Sequence, residues 1–208
     1  MIRSVCLGLL FFTLIPNVSG QLDLLSLGGK RDSLALQMDF MRNKTEKKAM
    51  TILGSWSVLN ITTSLAFREK TTGIDKQFHT MNGLWNLVNG GLALSGYLNS
   101  KKERLSSDAI ESMNKFHTLE RTLIFNSGLD IAYIATGLYL RERGKNELNL
   151  TRSEQFQGFG KSLMLQGGFL LVFDALFYSS LRYQSSYFKN LMQIVWLRNG
   201  SFGMNIQF

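Results

Sequence analysis

Two carboxylic acids, Asp130 and Asp174, stand inside apolar runs about as long as a bilayer crossing, among long aliphatic and aromatic side chains. Burying a carboxyl group there is costly, so it marks a proton, ion or small-ligand site by default. Amide side chains keep them company. His79, Asn82, Asn86 and Asn89 recur at spacings of three and four, which on a helix makes one stripe beside Gly90 and Ala93. Counted at about 1.5 Å per residue from one end of the runs, Asn89, Asn126 and Asp174 lie roughly 10–15 Å deep. Asn60, Asp130 and Gln166 lie roughly 16–23 Å deep, so a single polar belt near the middle is predicted.

Such groups more often bond helix to helix, at about 1 kcal/mol each, and Gly90-Gly91 and Gly167-Gly168 would let the helices approach closely enough. A structural belt is therefore the first reading, and a ligand, ion or proton site at Asp130 and Asp174 the alternative. His117 and Glu120, at i and i+3, match half of a bundle di-metal motif, but the second half and its carboxylates are absent, so no metal is expected. His79 and His117 open successive antiparallel runs and fall at opposite ends. The sequence has no nucleophile elbow, phosphate loop, zinc spacing or dinucleotide fingerprint, so neither catalysis nor a cofactor is expected. Trp56, Trp85, Tyr97, Tyr133, Tyr139 and Tyr178 read as interfacial belt and core packing.

These residues need helices to position them. The chain has 208 residues, enough for one domain, and its only proline is Pro16, while glycine is frequent inside the apolar runs, as membrane helices tolerate. The expected fold is all-α: a four-helix transmembrane bundle with spans at 49–67, 78–98, 118–140 and 159–181. Arg68-Glu69-Lys70, Lys101-Lys102-Glu103-Arg104 and Arg141-Glu142-Arg143 fix the ends of the spans, because such clusters do not enter lipid cheaply. A sparse internal repeat, 55–69 laid on 128–142, would make the bundle two helical hairpins in parallel orientation.

The flanking segments carry their own signals. Arg3, the apolar stretch 5–15 and Pro16-Asn17-Val18-Ser19-Gly20 form the three parts of a signal peptide, residues 1–20, with cleavage after Gly20. Residues 21–48 form an exported lead-in, amphipathic from Ser33 through Leu34, Met38 and Met41, expected on the surface before the first span. In the tail, 182–208, Asn199-Gly200 and the alternation ending at Phe208 predict a short β-hairpin. An outer-membrane barrel would need repeated alternating strands of about ten residues, which the chain lacks, so the inner membrane is expected.

The net charge of +8 flanks apolar runs and forms no aromatic-interleaved basic stripe, which excludes nucleic acid as the expected partner. Cys6, the single cysteine, rules out a disulfide framework. The expected partner is the lipid bilayer; a protein partner or homo-oligomer stays open, with a membrane interaction scaffold as the third reading. Orientation is contested. A cleaved signal puts the lead-in, the 99–117 connection and the tail outside, on what we call side B, yet side B carries more of the Lys and Arg, which favours the cytoplasm. The ordered signal is given precedence over the statistical charge rule.

Four stretches together resemble an uncharacterised family of small exported four-helix membrane proteins from Bacteroidota: Leu53-Gly54-Ser55-Trp56 with Asn60; 78–89 (FHTMNGLWNLVN); Phe125 to Asp130 with Tyr133; and Gln166-Gly167-Gly168-Phe169 with Phe173-Asp174. The likeness covers about residues 45 to 181. It implies the same architecture and the same polar residues, and it implies no activity.

Overall fold

In the computed structural model, which describes residues 30–102, 105–106 and 108–198, four helices follow one another. They are α1 (Lys30–Arg68), α2 (Gly73–Lys102), α3 (Ala109–Lys145) and α4 (Leu150–Arg198), with no strand among the described residues. The signal peptide with Cys6, the part of the lead-in before Lys30 and the tail hairpin at Asn199-Gly200 lie outside the described residues.

The breaks between helices have local causes. Gly73 takes φ 59°, a left-handed conformation that glycine adopts freely, and so lets α2 start straight after the α1 turn. Asp108 caps α3 by accepting the Ile110 N–H at 2.8 Å, and Asn149 Oδ1 accepts the Arg152 N–H at 3.1 Å at the start of α4. Elsewhere nothing stops a helix, because no proline follows Pro16.

The helices therefore outrun the apolar runs they contain. At about 1.5 Å per residue, the 39 residues of α1 and the 49 of α4 span roughly 58 and 74 Å, against about 30 Å of hydrocarbon. The clusters at Arg68, Lys101-Lys102 and Arg141 to Lys145 stand at helix ends, whereas at Lys47-Lys48 and Arg182 the composition turns polar and the helix runs on. The segment expected to lie on a surface before the first span is instead the unbroken first half of α1, and Ser33 falls inside the helix, not at its cap. Leu34, Ala35, Met38, Asp39 and Arg42 are buried there against the other helices.

Two antiparallel hairpins, α1–α2 and α3–α4, provide the most extensive packing, and α2 also packs along α4. Small residues set the α1–α2 spacing, with Gly54 against Ala93, Ser57 against Gly90 and Ser64 against Gly83. The α3–α4 seam is tighter: a Cβ on Gly160 would lie 2.5 Å from the Gly137 carbonyl oxygen, and one on Gly167 would lie 2.8 Å from that of Asp130. Three helices, α1, α3 and α4, are long and apolar enough to cross a membrane. By composition α2 stands apart from them, because its Asn stripe lowers its hydropathy; Asn82, Asn86 and Asn89 are all buried.

Candidate functional site

The polar interior begins with Gln166, fully buried on α4 and bonded to both helices of the other hairpin. Its Oε1 accepts the Trp56 indole N–H at 3.0 Å and the Asn89 amide at 3.5 Å, and its Nε2 donates to Asn82 Oδ1 at 2.5 Å. Asn82 in turn donates to Asn60 Oδ1 at 2.9 Å and to Ser64 Oγ at 3.1 Å. Asn60 closes the loop by donating to the Trp56 carbonyl at 2.8 Å, and the Trp56 ring stacks on Phe169 with centroids 3.9 Å apart. Asn60, Asn82, Asn89 and Gln166 thus form one network tying α1, α2 and α4. Sequence reading assigned Trp56 to packing alone and passed over Ser64. Both were accessible to it, since Leu53, Ser57, Asn60 and Ser64 repeat at the spacing that revealed the α2 stripe.

The carboxyl groups form a second group, on the α3–α4 seam. Asp130 is 3% exposed and Asp174 5%, and Asp174 lies within electrostatic reach of Asp130. The Asn126 side chain hydrogen-bonds the Asp174 carboxyl. Asp130 Oδ2 is buried with no hydrogen-bond partner, and so is Asn86 Oδ1, although the Asn86 amide donates to the Asn82 carbonyl at 2.8 Å. Buried acceptors without partners are uncommon and costly, and of those among the described residues, which include Asn43 Oδ1, Ser162 Oγ and Gln184 Oε1, Asp130 Oδ2 is the one on a carboxyl group. The single predicted belt is two groups: the Gln166 side chain bonds to Trp56, Asn82 and Asn89, whereas the carboxyl pair is bonded through Asn126 on α3.

His117 and Glu120 do not converge on a metal geometry. Glu120 accepts from Ser185 Oγ at 2.5 Å and from Arg182 at 3.5 Å, both on α4, and no group of three or more His, Cys, Asp or Glu side chains gathers among the described residues. His79, at the other end of the bundle, packs its ring against Phe67 and Phe78.

A third polar group, unforeseen from sequence, lies beyond the apolar runs at the side-B end. Asp39, with its side chain fully buried, accepts the Ser106 backbone N–H at 2.8 Å and pairs with Arg42 at 3.3 Å and Lys115 at 3.5 Å. Burial by itself would raise the Asp39 pKa, but the Ser106 N–H and the two cations outweigh it and hold the carboxyl below its usual range. Nearby, Gln184 donates to Thr45 Oγ1 at 2.8 Å, linking α4 to α1.

Neither a curated protein nor a solved structure matches the chain. A family match covers residues 52–175, which takes in Asn60, the whole α2 stripe, Asn126, Asp130, Gln166 and Asp174. The chain therefore belongs to the family of unknown function DUF6992.

Proposed function

We propose that the protein is a multi-pass integral membrane protein of the inner membrane, exported through its N-terminal signal. Its four helices cross the bilayer, and the Gln166 network holds them together as a non-catalytic structural core. The observation that carries this reading is inverted polarity at one level of the bundle. Asn60, Asn82, Asn86, Asn89, Asp130 and Gln166 are buried there, while Val58, Leu87, Val88, Leu92, Phe125 and Ile131 are 57–69% exposed. In water that arrangement would waste the hydrophobic effect, whereas in lipid it keeps the apolar side chains in hydrocarbon and the polar ones out of it.

The test is topological. Single cysteines replacing Lys102 and Leu148, exposed at opposite ends of the bundle, are labelled with an impermeant maleimide in spheroplasts. Export with an even number of crossings requires Lys102→Cys to label and Leu148→Cys to label only after lysis. The reverse pattern would put side B in the cytoplasm, and protein released by carbonate washing would end the membrane reading.

A second reading, in which Asp130 and Asp174 share a proton or hold a small cation, is favoured by the partnerless Asp130 Oδ2. It expects Asp130→Asn and Asp174→Asn to stay folded while abolishing a proton or cation flux seen in proteoliposomes of the native chain. A native chain with no such flux, or variants that only melt earlier, would leave the structural reading alone.

A further inference from the structure

At the side-B rim of the apolar layer, a groove of about 760 Å³ opens between α1 and α2. Lys44, Lys47, Lys48 and Lys101 line it, and among the described residues no acidic one does. Among the described residues none of these four lysines makes an ion pair, although Arg42 with Glu46 and Lys115 with Glu111, one turn or so away, do. Four cations around one concavity, with no counter-charge among the described residues, form a site for an anion.

The height of the groove says which anion. Lys47 and Lys48 come directly before the apolar run of α1, and Lys101 follows that of α2. The register that sets Gly96 against Met50 and Gly54 against Ala93 brings these two ends to one level. A bilayer that fits the exposed apolar band puts its phosphates at this level, just outside the hydrocarbon. Below the lysines Ile52 and Tyr97, which is 40% exposed, line the groove, and deeper along the same two helices Val58 and Leu94 are exposed. A free phosphate would use only the cationic rim, whereas a phospholipid would use the rim and the apolar face together. Asn43, 6% exposed, lines the groove with its Oδ1 buried and partnerless, and so offers an acceptor for a headgroup hydroxyl.

We propose that this α1–α2 groove binds an anionic phospholipid, with the phosphate among Lys44, Lys47, Lys48 and Lys101 and the acyl chains along the apolar faces beneath. Lysines suit the task because each is a compact charge on a flexible stem, able to gather around a phosphodiester without fixed bidentate geometry. The inference rests on the membrane reading above.

The experiment uses the full chain in nanodiscs of phosphatidylcholine, with and without phosphatidylglycerol, read by native mass spectrometry and by melting temperature. The expected result is a retained phosphatidylglycerol adduct and a higher melting temperature in its presence. A variant carrying Lys44→Gln, Lys47→Gln, Lys48→Gln and Lys101→Gln should melt normally in phosphatidylcholine and bind phosphatidylglycerol roughly tenfold or more weakly. A control with Lys145→Gln and Lys161→Gln, at the opposite end, should behave as the native chain does. Equal adducts in the native chain and the quadruple variant would overturn the proposal. So would inorganic phosphate alone reproducing the thermal shift, which would make the site one for a free anion. A chain that never enters nanodiscs fails the membrane reading instead, and that outcome is visible before any lipid is counted.

Discussion

The same helices solve two opposite packing problems along their length. In the apolar layer, α3 shows Ile124, Phe125, Ile131 and Leu138 outward and turns Asp130 inward. A few turns earlier, the same helix shows Glu111, Asn114 and Arg121 outward and buries Met113 and Phe116. On α4 the change falls between Val172, exposed in the layer, and Arg182, exposed beyond it. The extension has an ordinary water-facing surface over a core of Leu34, Met38, Phe116, Leu181 and Phe188. Polarity thus changes with position along the bundle and not with the helix, and on the proposed membrane reading the switch point on each helix is the lipid boundary. The family match begins at residue 52 and ends at 175, so it covers the layer and leaves out the α1 and α4 parts of the extension.

This contrast is broken most severely at Asp39. Replacing it with alanine leaves Arg42, 3% exposed, and Lys115 without the carboxylate that joins α1 to α3. Arg42 keeps Glu46 and Lys115 keeps Glu111, but the buried bridge and the acceptor of the Ser106 N–H are lost together, at about 3 kcal/mol, so Asp39→Ala should give the largest fall in melting temperature measured in detergent. A variant as stable as the native chain would mean that the extension is held by its apolar core alone. Next comes Gly160→Ala, whose added methyl would meet the Gly137 carbonyl and the Arg141 backbone nitrogen, at 2.5 and 2.8 Å. Overpacking of that kind costs about 1–3 kcal/mol, and here it should separate α3 from α4. Gln166→Leu should cost less, about 1–2 kcal/mol, because amide bonds in a membrane interior are individually modest even though three residues lose their partner. If Gln166→Leu were instead the most damaging of the three, the layer and not the extension would set the stability of the whole.

How much of this was legible follows from the same contrast. The α2 stripe could be read because Asn82, Asn86 and Asn89 are foreign to an apolar run, so their spacing alone fixed the buried face. The four helices followed from the order of apolar runs and charged connections, and their grouping into two hairpins from the sparse repeat of 55–69 in 128–142. The length of α1 and α4 was not legible, because composition changes at Lys48 and Arg182 without any residue that ends a helix. Nor were the partners of polar residues in the extension. Glu120 looked like half a metal site beside His117, and only the fold brings Ser185 and Arg182 to it from more than sixty positions away. Asp39 gave no signal at all, since in a polar segment one more aspartate is unremarkable until its surroundings are known.

The smallest effect concerns pH and distinguishes the two regions without altering the core. The Asp39 pKa is lower in the folded protein than its ordinary 3.8, so the folded state holds this carboxylate ionised where the unfolded chain would take up a proton. The resulting stability is fully present above about pH 4–5 and is lost as the pH falls through the folded value. Melting temperature should therefore decline on acidification from pH 5 towards pH 3, and Asp39→Asn, less stable at neutral pH, should show a flatter profile over that range. Spin labels at Lys189→Cys in the extension and Leu138→Cys in the layer localise the change, since both positions are exposed. Acid should mobilise the Lys189 label first. Equal slopes for the native chain and Asp39→Asn, or earlier loosening at Leu138, would place the acid-sensitive charge in the layer and remove Asp39 as the group that ties the extension together.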